Sequence, residues 1–118
     1  MPETDEHRRE RFRKQRAGYD AARAEMRGRL LAVAIPLARD QGYQWITRQM
    51  VATAAGVSLG SVNNCFGTML ELKRAVMRWA VENGDGKLIA QGLANDSPIT
   101  ANIDPGLREK AAEVIAAP

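Results

Sequence analysis

Between residues 58 and 64 the sequence sets out small polar side chains, Ser58, Ser61, Asn63 and Asn64, with Leu59 and Gly60 among them. An Asn amide can donate to and accept from an adenine edge at once, and a Ser hydroxyl is permissive. Gly60 lets backbone come close to a ligand. On one short helix these residues suit the reading of base edges in the major groove of double-stranded DNA. The competing reading is a plain small-polar surface on a helical hairpin.

Other chemistry is poorly supplied. There is no Ser/His/Asp or Cys/His set, no paired carboxylates in apolar context and no phosphate-binding glycine loop, so no enzyme is expected. Cys65 is the one cysteine. It leaves no disulfide within this chain and too few soft ligands for a structural zinc site, so neither metal nor cofactor is expected. Cys65 reads as a small core residue, with redox sensing as the other possibility. His7 has no partner in sequence and is assigned no role.

The elements that must position the polar set follow from caps and breakers. Thr47 is an N-cap for a helix running to Ala54 or Ala55, and Gly56 supplies the residue free to take positive φ in the turn. Ser58 caps the next helix, which ends near Phe66. Ala52 is the small residue needed where two short helices cross, and Val51, Ala55, Val57, Val62 and Cys65 fall where their shared core lies. Upstream, Met26, Leu30, Leu31, Ala34, Leu37 and Ala38 recur at spacings of three and four, predicting a first helix from about Ala21 to Gly42. Pro36 is expected to kink that helix. Downstream, Thr68 and Glu71 have capping-box spacing for a fourth helix from Met69 to about Asn83, stopped by Gly84 and Gly86. A short helix over Lys87 to Ala94, a loop from Asn95 to Ile103 and a final helix begun by Asp104-Pro105 complete the reading. Tyr43 and Trp45 are expected in the core.

The fold class is therefore all-α: a three-helix helix-turn-helix unit, a long fourth helix and one or two short C-terminal helices. The 118 residues suit one compact body, with 45% apolar and 26% charged residues. Three segments are expected: a basic flexible N-terminal arm over 1–20, a helix-turn-helix domain with its linking helix over 21–83, and a short helical segment over 84–118. Net charge is only +3, but from Arg8 to Arg29 nine Lys/Arg stand against three acids. That stretch either draws a polyanion or is a solvated Arg-rich helix. Arg8, Arg9, Arg11 and Arg13 in the arm are candidates to track phosphates or enter a minor groove, unless the arm is a solubilising tail. The polar N-terminus does not read as a signal peptide, and no apolar run nears the ~20 residues of a membrane span, so a cytoplasmic protein is expected.

Residues 27–76, with the run GYQWITRQMVATAAGVSLGSVNNCFGTML at their centre, resemble the N-terminal DNA-binding domain of the tetracycline-repressor (TetR) family. Gly42-Tyr43, Thr47, Val51-Ala52, Ala55-Gly56-Val57-Ser58, Gly60, Phe66-Gly67 and Leu72 carry the likeness. The resemblance implies a three-helix DNA-binding unit, a fourth helix leading onward and dimeric binding to a palindromic operator. It also implies DNA contacts at Thr47, Ser58, Ser61 and Asn63. The chain departs from the family with Asn63 where Tyr is usual, Cys65 where an aromatic or His is usual, and Met69 where a phosphate-anchoring Lys is usual. Thr68 with the amides beside it, Lys73, Arg48 and the basic arm are candidates to replace that anchor. Only 42 residues follow Val76, so no small-molecule inducer of the family's usual kind is expected.

On the fourth helix Leu72, Ala75, Val76 and Trp79 share one side, and Leu70, Met77 and Val81 lie nearly opposite. The second side needs the C-terminal segment or a second subunit. Leu70, Met77, Val81, Leu107, Val114 and Ile115 are the expected homodimer interface. The function these features favour is a sequence-specific transcriptional regulator, expected to be a repressor. An architectural DNA-binding protein in recombination or replication, or a protein-interaction module on the same scaffold, are the alternatives.

Overall fold

A computed structural model describes residues 4–116. Among the described residues the fold is all-α, with six helices: α1 (Asp5–Gln41), α2 (Arg48–Ala55), α3 (Leu59–Cys65), α4 (Met69–Asn83), α5 (Gly86–Ala94) and α6 (Pro105–Ala116). No helix among them is long and apolar enough to cross a membrane.

The caps act where the sequence places them. Thr47, Ser58 and Thr68 each accept a hydrogen bond from the backbone N–H three residues on, at 3.1–3.2 Å. Gly56 ends α2 at φ +69° and Gly84 ends α4 at φ +66°. At both ends the following N–H reaches back to a carbonyl five residues earlier, Val57 to Ala52 and Asp85 to Ala80. That is a Schellman closure, and it requires the left-handed conformation glycine takes without strain.

α1 starts at Asp5, well before the expected Ala21. Thr4 accepts from the His7 N–H at 3.2 Å, and Asp5 and Glu6 in the first turn complement the helix dipole. Residues 5–25 are mostly Arg, Lys, Gln, Glu and Ala, strong helix formers that need no buried face. Apolar periodicity marks buried helix, so it found only the part that packs. Residues 5–25 are all exposed, and burial begins at Met26 and becomes complete at Leu30. The helix continues through Pro36, which faces solvent.

The core is built by Leu30, Ala34 and Ala38 of α1, Val51 and Ala52 of α2, Val62 and Cys65 of α3, and Leu72, Val76 and Met77 of α4. α5 then lies across α4 and the end of α1, and α6 packs on α5. Two departures from expectation concern large side chains. Met77 is 0% exposed within this one chain, so it is no part of a surface between subunits. Its Sδ packs on the backbone of Gly92 in α5, the helix that covers the second side of α4. Trp45 is 74% exposed, whereas Tyr43 takes the core position. The turn from Gly42, whose carbonyl accepts from the Trp45 N–H at 3.0 Å, swings residue 45 outward with its ring over Gly42.

Candidate nucleic-acid interface

α2 and α3 form a helix-turn-helix whose interior is closed by small and branched groups. Ala52 and Val62 are buried at the crossing, and Cys65 anchors the end of α3, its Sγ 3.9 Å from the Arg23 carbonyl of α1. Arg27 holds the next corner, its guanidinium 4.5 Å from the centroid of buried Phe66. With that side fixed inward, Leu59, Gly60, Asn63 and Asn64 are left on the outer side of α3, all exposed.

The other expected contacts sort by place. Ser58 Oγ lies 3.2 Å from Ser61 Oγ and also caps the helix, so these two hydroxyls hold one another while Ser58 stays at the surface. Thr47, Arg48, Leu59 and Lys73 come together around one groove, with Trp45 and Met69 in its wall. Arg48 Nε is buried there with no hydrogen-bond partner among the described residues. Thr68 is exposed at the start of α4. Its neighbour Gly67 donates its N–H to Glu71 Oε2 at 3.0 Å, so a carboxylate already occupies the mouth of that helix. Arg8, Arg9, Arg11 and Arg13 lie apart from this cluster on the projecting part of α1, where Arg11 rests 5.8 Å from the Phe12 ring centroid.

Two wall residues were missed by sequence reasoning. Apolar character predicts Trp45 inward, and the lack of apolar periodicity puts Tyr19 in a flexible arm. Tyr19, Ala22, Arg23 and Met26 of α1 instead form a groove with Ser61, Asn64 and Cys65 of α3, about 190 Å³ in volume. The seven-residue spacing of Phe12, Tyr19 and Met26 is the signal that would have found it.

The electrostatics of the unit are unusual. From residue 41 to 70 the chain carries one charge, Arg48. The cations that share grooves with α3 residues come from other helices, Arg23 of α1 beside Ser61 and Asn64, and Lys73 of α4 beside Leu59.

The chain is similar to the HTH-type transcriptional regulator CymR of Pseudomonas putida, with 40% identity over 58 residues. The match covers 49% of this chain and 29% of that protein, so the chain spans less than a third of its relative's length. No family model and no solved structure matches the chain. The distant homology and the all-α fold agree on a helix-turn-helix protein.

Proposed function

We propose that the chain is a sequence-specific DNA-binding transcription regulator of the tetracycline-repressor kind, seating α3 in the major groove and repressing by occupancy of a palindromic operator. The observation that carries this reading is the outer side of α3. Leu59, Gly60, Asn63 and Asn64 stand exposed on a helix whose inner side is locked by Val62 and Cys65, beside the Thr47 and Arg48 groove. Likeness to a helix-turn-helix regulator across 49% of the chain supports it.

In this reading Asn63 and Asn64 address base edges, Ser58 and Leu59 enter the groove with them, and Thr47, Arg48 and Lys73 hold the flanking phosphates, while the Glu71 carboxylate at the mouth of α4 leaves Thr68 without one. A palindrome requires two copies about 34 Å apart along the duplex. With Met77 removed from the interface, Leu70, Val81, Leu107, Val114 and Ile115 remain to pair them. Bound fragments selected from random duplex DNA, then footprinted, should reveal two inverted half-sites. Asn63→Ala should weaken binding to the selected site more than to scrambled DNA. Equal affinity of the native chain for both would overturn the proposal.

A further inference from the structure

The projecting part of α1 carries an ordered side chain pattern. Counting back from buried Leu30 by steps of four and three gives Met26, Arg23, Tyr19, Arg16, Phe12 and Arg9. Such steps keep to one side of a helix. The side that enters the core at Leu30 therefore continues outward as three arginines alternating with two aromatics. Phe12 and Tyr19 are 57% and 68% exposed, and all three arginines are exposed. Two acids adjoin this ladder, Asp5 four residues before Arg9 and Asp20 four residues after Arg16, so its charge is positive in net, and the Lys14–Glu10 ion pair, at 3.9 Å, lies on the opposite side of the helix.

The position of the ladder matters as much as its composition. Its inner end, Tyr19 and Arg23, already shares a groove with Ser61 and Asn64 of α3. The helix-turn-helix has one cation of its own, Arg48, while duplex binding draws most of its affinity from several phosphate contacts. We infer that this side of α1 is a second, rigid duplex-binding surface, lying along the sugar-phosphate backbone beside the groove that α3 enters. Arg9, Arg16 and Arg23 meet phosphates, and the flat rings of Phe12 and Tyr19 pack on sugars between them. The inference rests on the DNA-binding reading above. Residues 5–25 extend about 31 Å at 1.5 Å per residue, enough to meet several successive phosphates where the backbone passes along the helix.

A second copy of the chain fits this side poorly, because it would bring an identical row of arginines. A lipid surface fits poorly as well, since residues 5–25 offer only Phe12 and Tyr19 as large apolar groups.

The test compares the native chain with Arg9→Gln/Arg16→Gln/Arg23→Gln, whose helix should persist because Gln and Arg have similar helix propensity; circular dichroism checks this. On a random-sequence duplex the slope of log affinity against log salt should fall by about 3 for the triple variant. The hydroxyl-radical footprint on a selected site should lose protection on its outer flank, and the triple Lys variant should restore the slope. If the native chain binds no duplex, the functional proposal and this inference both fall. An unchanged slope and footprint in the triple variant, with Asn63→Ala still losing discrimination, would overturn this inference alone. Tighter binding by the triple variant would also overturn it. Loss of self-association with an unchanged footprint would assign the surface to a second copy instead.

Discussion

Arg39 donates from Nε and Nη2 to the same oxygen, Oδ2 of Asp85, at 3.0 and 2.6 Å. The other oxygen of Asp85 accepts from the Leu88 N–H at 3.1 Å and so caps α5. One carboxylate thereby ties the end of α1 to the start of α5 across 46 residues of sequence. Beside it, Gln91 accepts from the Tyr43 N–H at 2.8 Å and donates to the Ala38 carbonyl at 3.2 Å. The C-terminal helices are thus fastened to the core of the helix-turn-helix unit by polar groups as well as by Leu88 and Ile89.

Two substitutions at Asp85 separate its roles. Asp85→Asn keeps a capping oxygen and loses the charge pairing, whereas Asp85→Ala loses both. We expect about 1 kcal/mol of destabilisation for Asn and about 2 kcal/mol for Ala. Urea unfolding checks the order, and equal losses would mean that the cap contributes nothing.

Glycines in helices should respond in opposite directions. A Cβ on Gly92 would sit 2.7 Å from Thr100 Cγ2 and 2.8 Å from Met77 Sδ. Both neighbours are buried, so neither has room to withdraw. Gly92→Ala should cost about 1–3 kcal/mol despite its better helix propensity. Gly28 in α1 has nothing within 4 Å of its Cβ position, and Gly28→Ala should stabilise by about 0.5–1 kcal/mol. Thermal melts of the two variants should move to opposite sides of the native midpoint.

Gly56→Ala tests the turn itself. At φ +69° a Cβ meets no neighbour but is strained by its own backbone. The expected loss is about 1 kcal/mol, from conformation alone. Because the turn fixes α3 against α2, the variant should also bind the selected duplex more weakly than its melting shift predicts. A variant with native stability and native affinity would show that the turn tolerates any residue.

What could be read from the sequence and what could not divides by distance along the chain. Thr47, Ser58, Thr68 and Gly56 were legible because a cap or a left-handed turn acts within three to five residues. Arg39 with Asp85 and Gln91 with Tyr43 join residues 46 and 48 positions apart, and no local pattern announces them. The helical wheel places Met77 outward because it shows two apolar sides of α4 without showing that α5 folds back over the second. Residues 1–20 read as a flexible arm, although α1 begins at Asp5, because periodicity detects only helix that buries a side. On the candidate site, the positions of the polar groups on α3 were legible, while the outward turn of Trp45 was hidden by a loop conformation.

The dimer expectation has a direct check in α6. Ile115 is 70% exposed at the last turn of the described helix, next to Val114, which packs against Gly86. Ile115→Lys leaves the core untouched, so stability per chain should stay within about 0.5 kcal/mol. If Ile115 lies between two copies, a desolvated ammonium there should shift the sedimentation-derived mass from two chains toward one. Native mass in the variant would remove Ile115 from the interface.

Trp45 offers the sharpest separation of binding from folding. Its ring is largely in water, over Gly42 and in the wall shared with Thr47, Leu59 and Lys73. Removing it exposes little core, so Trp45→Ala should leave the melting midpoint nearly unchanged, within about 0.5 kcal/mol. If a duplex occupies that wall, the ring loses water on binding and packs on a sugar beside the phosphate held at Thr47. Binding should then weaken by about 1 kcal/mol, roughly fivefold. Fluorescence distinguishes this from an indirect effect. In a Trp79→Phe background the remaining emission comes from Trp45, and it should shift to shorter wavelength when duplex is added. Emission that stays put while DNA binds would place the duplex elsewhere on the molecule and leave Trp45 a solvent-facing residue of the turn.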